Sequence, residues 1–247
     1  MSATQVLAGF SRTNRWLQYT SMMLAPAQFM SGLGNNCPSN LGFLAYNLFN
    51  QVIWYRAVKG HKLHALSLLL PHFNLVYAIS YIGGITSGNV IMAAFLGVGT
   101  AGALTLNCAC AWMNWMTNME EGFGKFRFFF FGWRTLDSNW HTFICIWQVF
   151  DTIFAVMVSV LVVGCSVAMA LNEPDKVALW MRYLAVPVGA AVILIFVWPN
   201  ILWTELIVAG NHVESATDWI AVGLFAAQVG AMLMPTQSAF MGCFKRG

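Results

Sequence analysis

Of 247 residues, 59% are hydrophobic and only 9% are charged, and the net charge is +3. A soluble domain has about a quarter charged residues, so most of this surface is expected to meet lipid rather than water. The basic residues are scattered, without the stripe or patch that a nucleic-acid partner requires.

The N-terminus shows no cleavable signal. Arg12 and Arg15 precede an apolar run, but Gln18, Pro26 and Gln28 interrupt it and no small-residue cleavage site follows. Insertion then falls to the spans themselves. Runs of about 17–25 apolar residues can cross a bilayer. Seven are expected, at 16–33, 39–57, 63–84, 88–116, 140–171, 177–209 and 217–241. The predicted fold class is all-α, a polytopic transmembrane helical bundle forming one domain over 1–247. The first run is the weakest, because Pro26 breaks it and Gly32 and Gly34 loosen its end. Lying flat at the interface, it would leave six spans. The fourth, fifth and sixth runs exceed a bilayer's thickness and are expected to tilt or project.

Seven spans put Arg12, Arg15, Arg56, Lys59, Lys62, Lys125, Arg127 and Arg134 on one side. Lys176, Lys245 and Arg246 fall on the other, with Arg182 just inside its span as an interfacial anchor. The excess marks the first side as cytoplasmic, N-terminus included. The segment 117–139 mixes charges with Phe128 to Phe131 and Trp133, and reads as an amphipathic loop in the headgroup region. No Asn-x-Ser/Thr acceptor gives an independent clue to orientation.

Six cysteines are present. Cys37, Cys165 and Cys243 fall toward the outer side, where a disulfide from Cys37 to Cys165 or Cys243 is chemically permitted. Cys108-Ala109-Cys110 is no metal signature, because one intervening residue turns the two thiols apart on a helix.

Polar side chains inside the runs carry the functional expectation. Asn47, Asn50, Gln51 and Trp54 share one helical face. His72 and Asn74 follow Pro71, and His141, Cys145, Gln148, Asp151 and Thr152 share a broad face further on. Asn200, Thr204 and Glu205 lie beyond Pro199, whose missing donor can kink its helix. Asp218 opens the last run, which carries Gln228. Asn50, Gln51, His72, Asn74, Gln148 and Asn200 are expected to line one shared pocket with the acids Asp151, Glu205 and Asp218, since lipid would leave each of these groups unpaired. Asp151 has no lysine or arginine in its own span. Hydrocarbon favours the neutral form of a carboxyl, and a neutral carboxyl can donate a proton. Gly97, Gly99 and Gly102 are expected to let a neighbouring helix approach closely. No cofactor or metal motif is found: there is no phosphate loop, HExxH or nucleophile elbow. The last run has no lysine for a retinal Schiff base, and Asn-Pro-Ala repeats are absent.

Trp180-x-Arg182-x-Leu184 leads to Trp198-Pro199 and Trp203, and Trp140 is followed by Cys145 and Gln148. In these residues the chain resembles the fungal membrane-bound meroterpenoid (terpene) cyclases, small seven-span enzymes of similar length. The resemblance implies acid-initiated cyclisation of a prenylated substrate. The family's early acid, in a Trp-Glu-x-x-Tyr motif, has Asn74 in its place here, and its late acid falls at Gln228 or, with a gap, at Asp218. That acid chemistry has therefore moved or been lost.

Three functions stay open. One is a membrane-embedded enzyme or binding protein for a small apolar molecule, with Asp151 as its acid. A second is a transporter or channel for a small solute or protons, with the acids and the Pro199 kink on its path. The third is a non-catalytic subunit of a larger membrane assembly, with other membrane subunits as partners.

Overall fold

The computed structural model describes residues 4–5, 8–27, 37–60, 90–117, 127–171 and 179–233. Helix dominates them. The expected span 63–84, with His72 and Asn74, lies outside the described residues. So does the chain beyond residue 233.

Helix α1 (Arg12–Met23) begins where the Ser11 hydroxyl accepts the Asn14 backbone N–H. It stops shortly before Pro26, whose ring excludes the carbonyl four residues earlier. Its 12 residues extend about 18 Å, short of a hydrocarbon core about 30 Å thick. The helix also starts earlier than the expected run 16–33, because Ser11 caps it.

Helices α2 (Cys37–Lys59), α3 (Val90–Thr117) and α4 (Ser138–Leu171) follow. The windows Ile91–Asn114 in α3 and Ser138–Ala168 in α4 are long and apolar enough to cross a membrane. Helix α5 (Leu179–Gly210) runs unbroken through Pro187 and Pro199. Both prolines are exposed, so the carbonyls they leave unpaired lie on the outer side rather than at a break in the helix. Helix α6 (Trp219–Met232) is capped by Asp218.

Helix α3 is the inner helix. Its buried positions include Ala93, Leu96, Thr100, Ala103, Leu104, Asn107, Cys110, Ala111 and Asn114, at the three- and four-residue spacing of one broad face. Small residues there let α2 and α4 pack closely on either side. Gly97 abuts Ser166 of α4 and Gly99 abuts Leu44 of α2, whereas Gly102 has open space beside it. Helix α4 buries only Gln148, Ala155, Val158, Val162 and Ser166 among its central residues. Its window is 17% buried against 39% for α3, which makes α4 an outer helix.

Two apolar cores stack along the bundle. One joins Phe43 and Leu44 of α2, Leu96 and Leu104 of α3, and Val158 and Val162 of α4. The other joins Trp54, Ala57 and Val58 near the end of α2 to Cys110 and Ala111 of α3, Phe128, Leu136 and Ile207 of α5. Trp140 and Ile144, in the first turns of α4, pack on this second core. Asn14 and Asp218 join the starts of α1 and α6 through bonds between their side chains and backbones. The start of α1, the ends of α2 and α3, the start of α4, the end of α5 and the start of α6 therefore gather at one end of the bundle.

Short strands finish that end. Strand β1 (Thr4–Gln5) pairs in parallel with β4 (Val213–Glu214). Strands β2 (Arg127–Phe129) and β3 (Trp133–Thr135) form an antiparallel hairpin within the expected loop 117–139. An all-α reading had no place for these strands. A strand of three residues is too short to set up a readable period-two pattern.

The thiols of Cys108, Cys110, Cys145 and Cys165 are free. Of the two permitted pairings, Cys37 with Cys165 is therefore not formed, and Cys243 lies outside the described residues.

Candidate functional site

Asp151 lies on α4, in an open groove of about 410 Å3 that it lines with Trp147, Phe150, Ile153, Phe154 and Met157. The other five lining residues are apolar and all are exposed. They repeat along the outer face of the helix. Asp151 itself is half-buried, at the edge where α4 meets α3. The Cys108 thiol of α3 lies near Asp151 and Thr152. Thr152 also accepts the Trp112 indole N–H at 2.9 Å and donates to the Gln148 carbonyl at 2.7 Å. All six lining residues belong to α4, so the groove is an open face of that helix, and the polar contacts of Thr152 lie beside it rather than in it.

A second polar group forms at the gathered end. Arg15 Nε donates to Glu205 Oε1 at 2.7 Å and Nη2 to Oε2 at 3.1 Å. Nη1 donates to the Phe10 carbonyl at 2.6 Å, and the Tyr19 hydroxyl donates to Glu205 Oε1 at 2.8 Å. The arginine side chain is 9% exposed and the glutamate 39%, so the pair opens to the surface on the acid's side. Such two-pronged pairs are directional as well as strong. Asp218 Oδ1 accepts the backbone N–H groups of Ile220 and Ala221 at 2.9 and 3.3 Å. It fills the N-cap role that favours aspartate at a helix start. The Asn14 side chain donates to the Asp218 carbonyl and accepts its N–H. Tyr46 meets Asn50 and senses the Asp218 charge.

Gln51 lies elsewhere. Its buried carbonyl oxygen accepts from Asn107 of α3 at 3.3 Å. Asn107 and Cys108 are consecutive on α3 and face different neighbours, Gln51 on α2 and Asp151 with Thr152 on α4. Among the described residues, then, the expected pocket members do not meet in one cavity. Helix α3 stands between Gln51 and Asp151. Glu205 and Asp218 sit with α1 at the gathered end, near Asn50. Gln148 is buried on the inner face of α4. The side chain of Asn200, like His72 and Asn74, lies outside the described residues. So does the side chain of Arg182, the expected interfacial anchor.

Arg15, Asn14 and Tyr19 take part without having been expected to. Arg15 entered the sequence reading only as a topological charge. The available signal was Glu205 itself, since an acid in an apolar helix calls for a cation. Among the described residues, no group of three or more His, Cys, Asp or Glu is arranged to hold a metal. Comparison with known proteins finds no matching family model, no matching curated protein and no matching solved structure.

Proposed function

We propose that this is a multi-pass membrane protein whose Asp151 groove takes a small apolar molecule from the lipid phase. Helices α3 and α4 support the membrane reading by length and composition. Arg12, Arg15, Arg56, Lys59, Arg127 and Arg134 belong to the elements that meet at the gathered end. By the positive-inside rule that end is cytoplasmic, and the N-terminus with it.

One observation carries the binding reading. A carboxyl stands among five apolar residues in a groove on the outer face of α4. A charge in hydrocarbon costs a few kcal/mol even on lenient scales, and ionisable groups there mark functional sites by default. The most specific chemistry for such a site is proton donation. In its neutral form the Asp151 carboxyl would protonate an alkene or epoxide of a bound prenylated molecule, and the resulting cation would lie over the faces of Trp147, Phe150 and Phe154. Loss of a proton from the cyclised cation to the carboxylate would leave a C=C bond in the product and restore the acid. This is the activity that the meroterpenoid-cyclase resemblance implies.

The reading is tested with a prenyl diazirine photoprobe on protein in lipid nanodiscs. Saturable labelling of the α4 segment, lost in Trp147→Ala, is expected. Labelling that never saturates, or that ignores Trp147→Ala, refutes the groove as a site. Asp151→Asn should keep the labelling and abolish any cyclised product.

A second reading has its own observation. Phe143, Trp147, Phe150, Phe154, Met157 and Leu161 are all exposed at four- and three-residue steps, the seam spacing of a packed helix pair. A subunit of a larger assembly would cover this seam with another helix. Photo-cross-links from Phe150 to a protein, in place of a saturable small-molecule label, would favour it.

A further inference from the structure

The β2–β3 hairpin is short, aromatic and held from behind. The Asn211 side chain accepts the Arg127 N–H at 2.8 Å and donates to the Arg127 carbonyl at 2.6 Å, as a third strand would. Phe128 is buried in the second core, edge-on to Trp140. Trp133 packs against Gly210 at the end of α5. The far side of the hairpin is bare by contrast. Phe131 is 92% exposed, and Phe129 and Phe130 are exposed as well. Phe131 has a φ of +48°, a left-handed conformation that bulky residues rarely adopt and glycine adopts freely. A large ring is thus held outward at a position where its backbone is unfavourable. Phe130 stacks edge-on against Trp140 and lies beside Phe143. The tip therefore sits level with the first turns of α4. Arg127 and Arg134 flank the aromatic residues, both are exposed, and no acid lies between them. Among the described residues, Asp137 and Glu214 are exposed acids on adjoining elements. Asp137 Oδ1 is engaged with the Trp140 N–H, and Glu214 pairs with Gln5 through its backbone.

We infer that the hairpin tip, Phe130-Phe131-Gly132, is a rigid wedge inserted into the anionic headgroup layer of the same membrane that α4 crosses. Aromatic rings collect at that depth, and arginines beside them pair with lipid phosphates. The inference rests on the membrane reading proposed above, with α4 as a span.

The test uses the full chain in nanodiscs with 4-trifluoromethylphenylalanine placed at position 131, 156 or 13. Fluorine signals are broadened either by dissolved oxygen, which concentrates in lipid, or by an aqueous gadolinium chelate. Oxygen should broaden the labels at 131 and 156, and gadolinium the label at exposed Thr13. Adding phosphatidylglycerol to phosphatidylcholine should drive the label at 131 deeper. Arg127→Gln with Arg134→Gln should lower its inserted-to-withdrawn ratio in the anionic bilayer about thirty-fold. Gadolinium broadening at 131 equal to that at 13 overturns the wedge. So does a depth indifferent to phosphatidylglycerol, or protection from both reagents, which marks a protein contact instead. Gadolinium broadening at 156 as well removes the membrane reading, and the wedge falls with it. Phe131→Gly, which eases the backbone, should leave thermal stability intact; loss of folding in that variant would make the ring structural and overturn the inference.

Discussion

Arg15 and Glu205 close a two-pronged ion pair between α1 and the end of α5, across 190 positions of sequence. The two ends of this pair are unequally placed, because the arginine is nearly enclosed and the acid is partly open. Removing one partner of a buried pair costs about 3–5 kcal/mol, chiefly through the charge left behind. Glu205→Leu strands an enclosed guanidinium with the Phe10 carbonyl and the Tyr19 hydroxyl as its remaining partners. Arg15→Met leaves a carboxylate that Tyr19 and solvent still serve. The first variant should therefore lose more stability than the second in detergent thermal unfolding. The double variant should lose less than the sum of the two single losses. Equal losses from the two single variants would deny the asymmetry.

Asp218 offers a different contrast. As an N-cap its replacement by alanine should cost about 1 kcal/mol, whereas asparagine should be tolerated. Thermal unfolding of Asp218→Ala and Asp218→Asn reads the difference. An Asp218→Asn protein that stays folded yet loses its activity would return this acid to the catalytic set.

The glycines of α3 separate close packing from mere sequence pattern. A methyl group at Gly97 would strike Ser166, whereas one at Gly102 meets nothing. Gly97→Ala should destabilise by about 1–3 kcal/mol, the usual range for overpacking. Gly102→Ala should be neutral or stabilise by up to about 1 kcal/mol through helix propensity. Unfolding in mixed micelles checks both, and a stable Gly97→Ala protein would mean that α3 and α4 separate easily.

Gln51 and Asn107 form a buried polar contact between α2 and α3. Interhelical hydrogen bonds of this kind average about 0.6 kcal/mol in membranes. Gln51→Leu should cost somewhat more, about 1 kcal/mol, because it strands a buried amide. Replacing both residues by leucine should recover much of the loss. A double variant as unstable as the sum of its singles would show that the two side chains do not act together.

Helix positions were readable in the sequence because long apolar runs have few alternatives. The limits of α3, α4 and α5 lie within a few residues of those expected. The polar stripe on α2 was readable for a related reason: Asn47, Gln51 and Trp54 share a face, and all three are buried. Their partners were not readable. Asn107 completes the Gln51 contact from another helix, and nothing in its own neighbourhood singles it out. The start of α1 was misplaced because Ser11 and Asn14 act through a cap rather than through hydropathy. The β1–β4 pair joins two-residue strands from opposite ends of the chain, and no local pattern announces such a contact. Asp151 stands out in the sequence as the acid of an apolar run, but its groove on the outer face depends on which side of α4 meets α3.

The ion pair also has a history in time. A ribosome makes Arg15 long before it makes Glu205, and the chain between them includes α2, α3, α4 and most of α5. On the membrane reading, the arginine enters the translocation machinery as a bare cation, when a positive flank helps decide which way the first helices face. It is neutralised only after that decision has been made. One side chain would thus serve first as a compass for the growing polypeptide and later as a clasp, and shifting the acid upstream would be expected to disturb the first job while preserving the second.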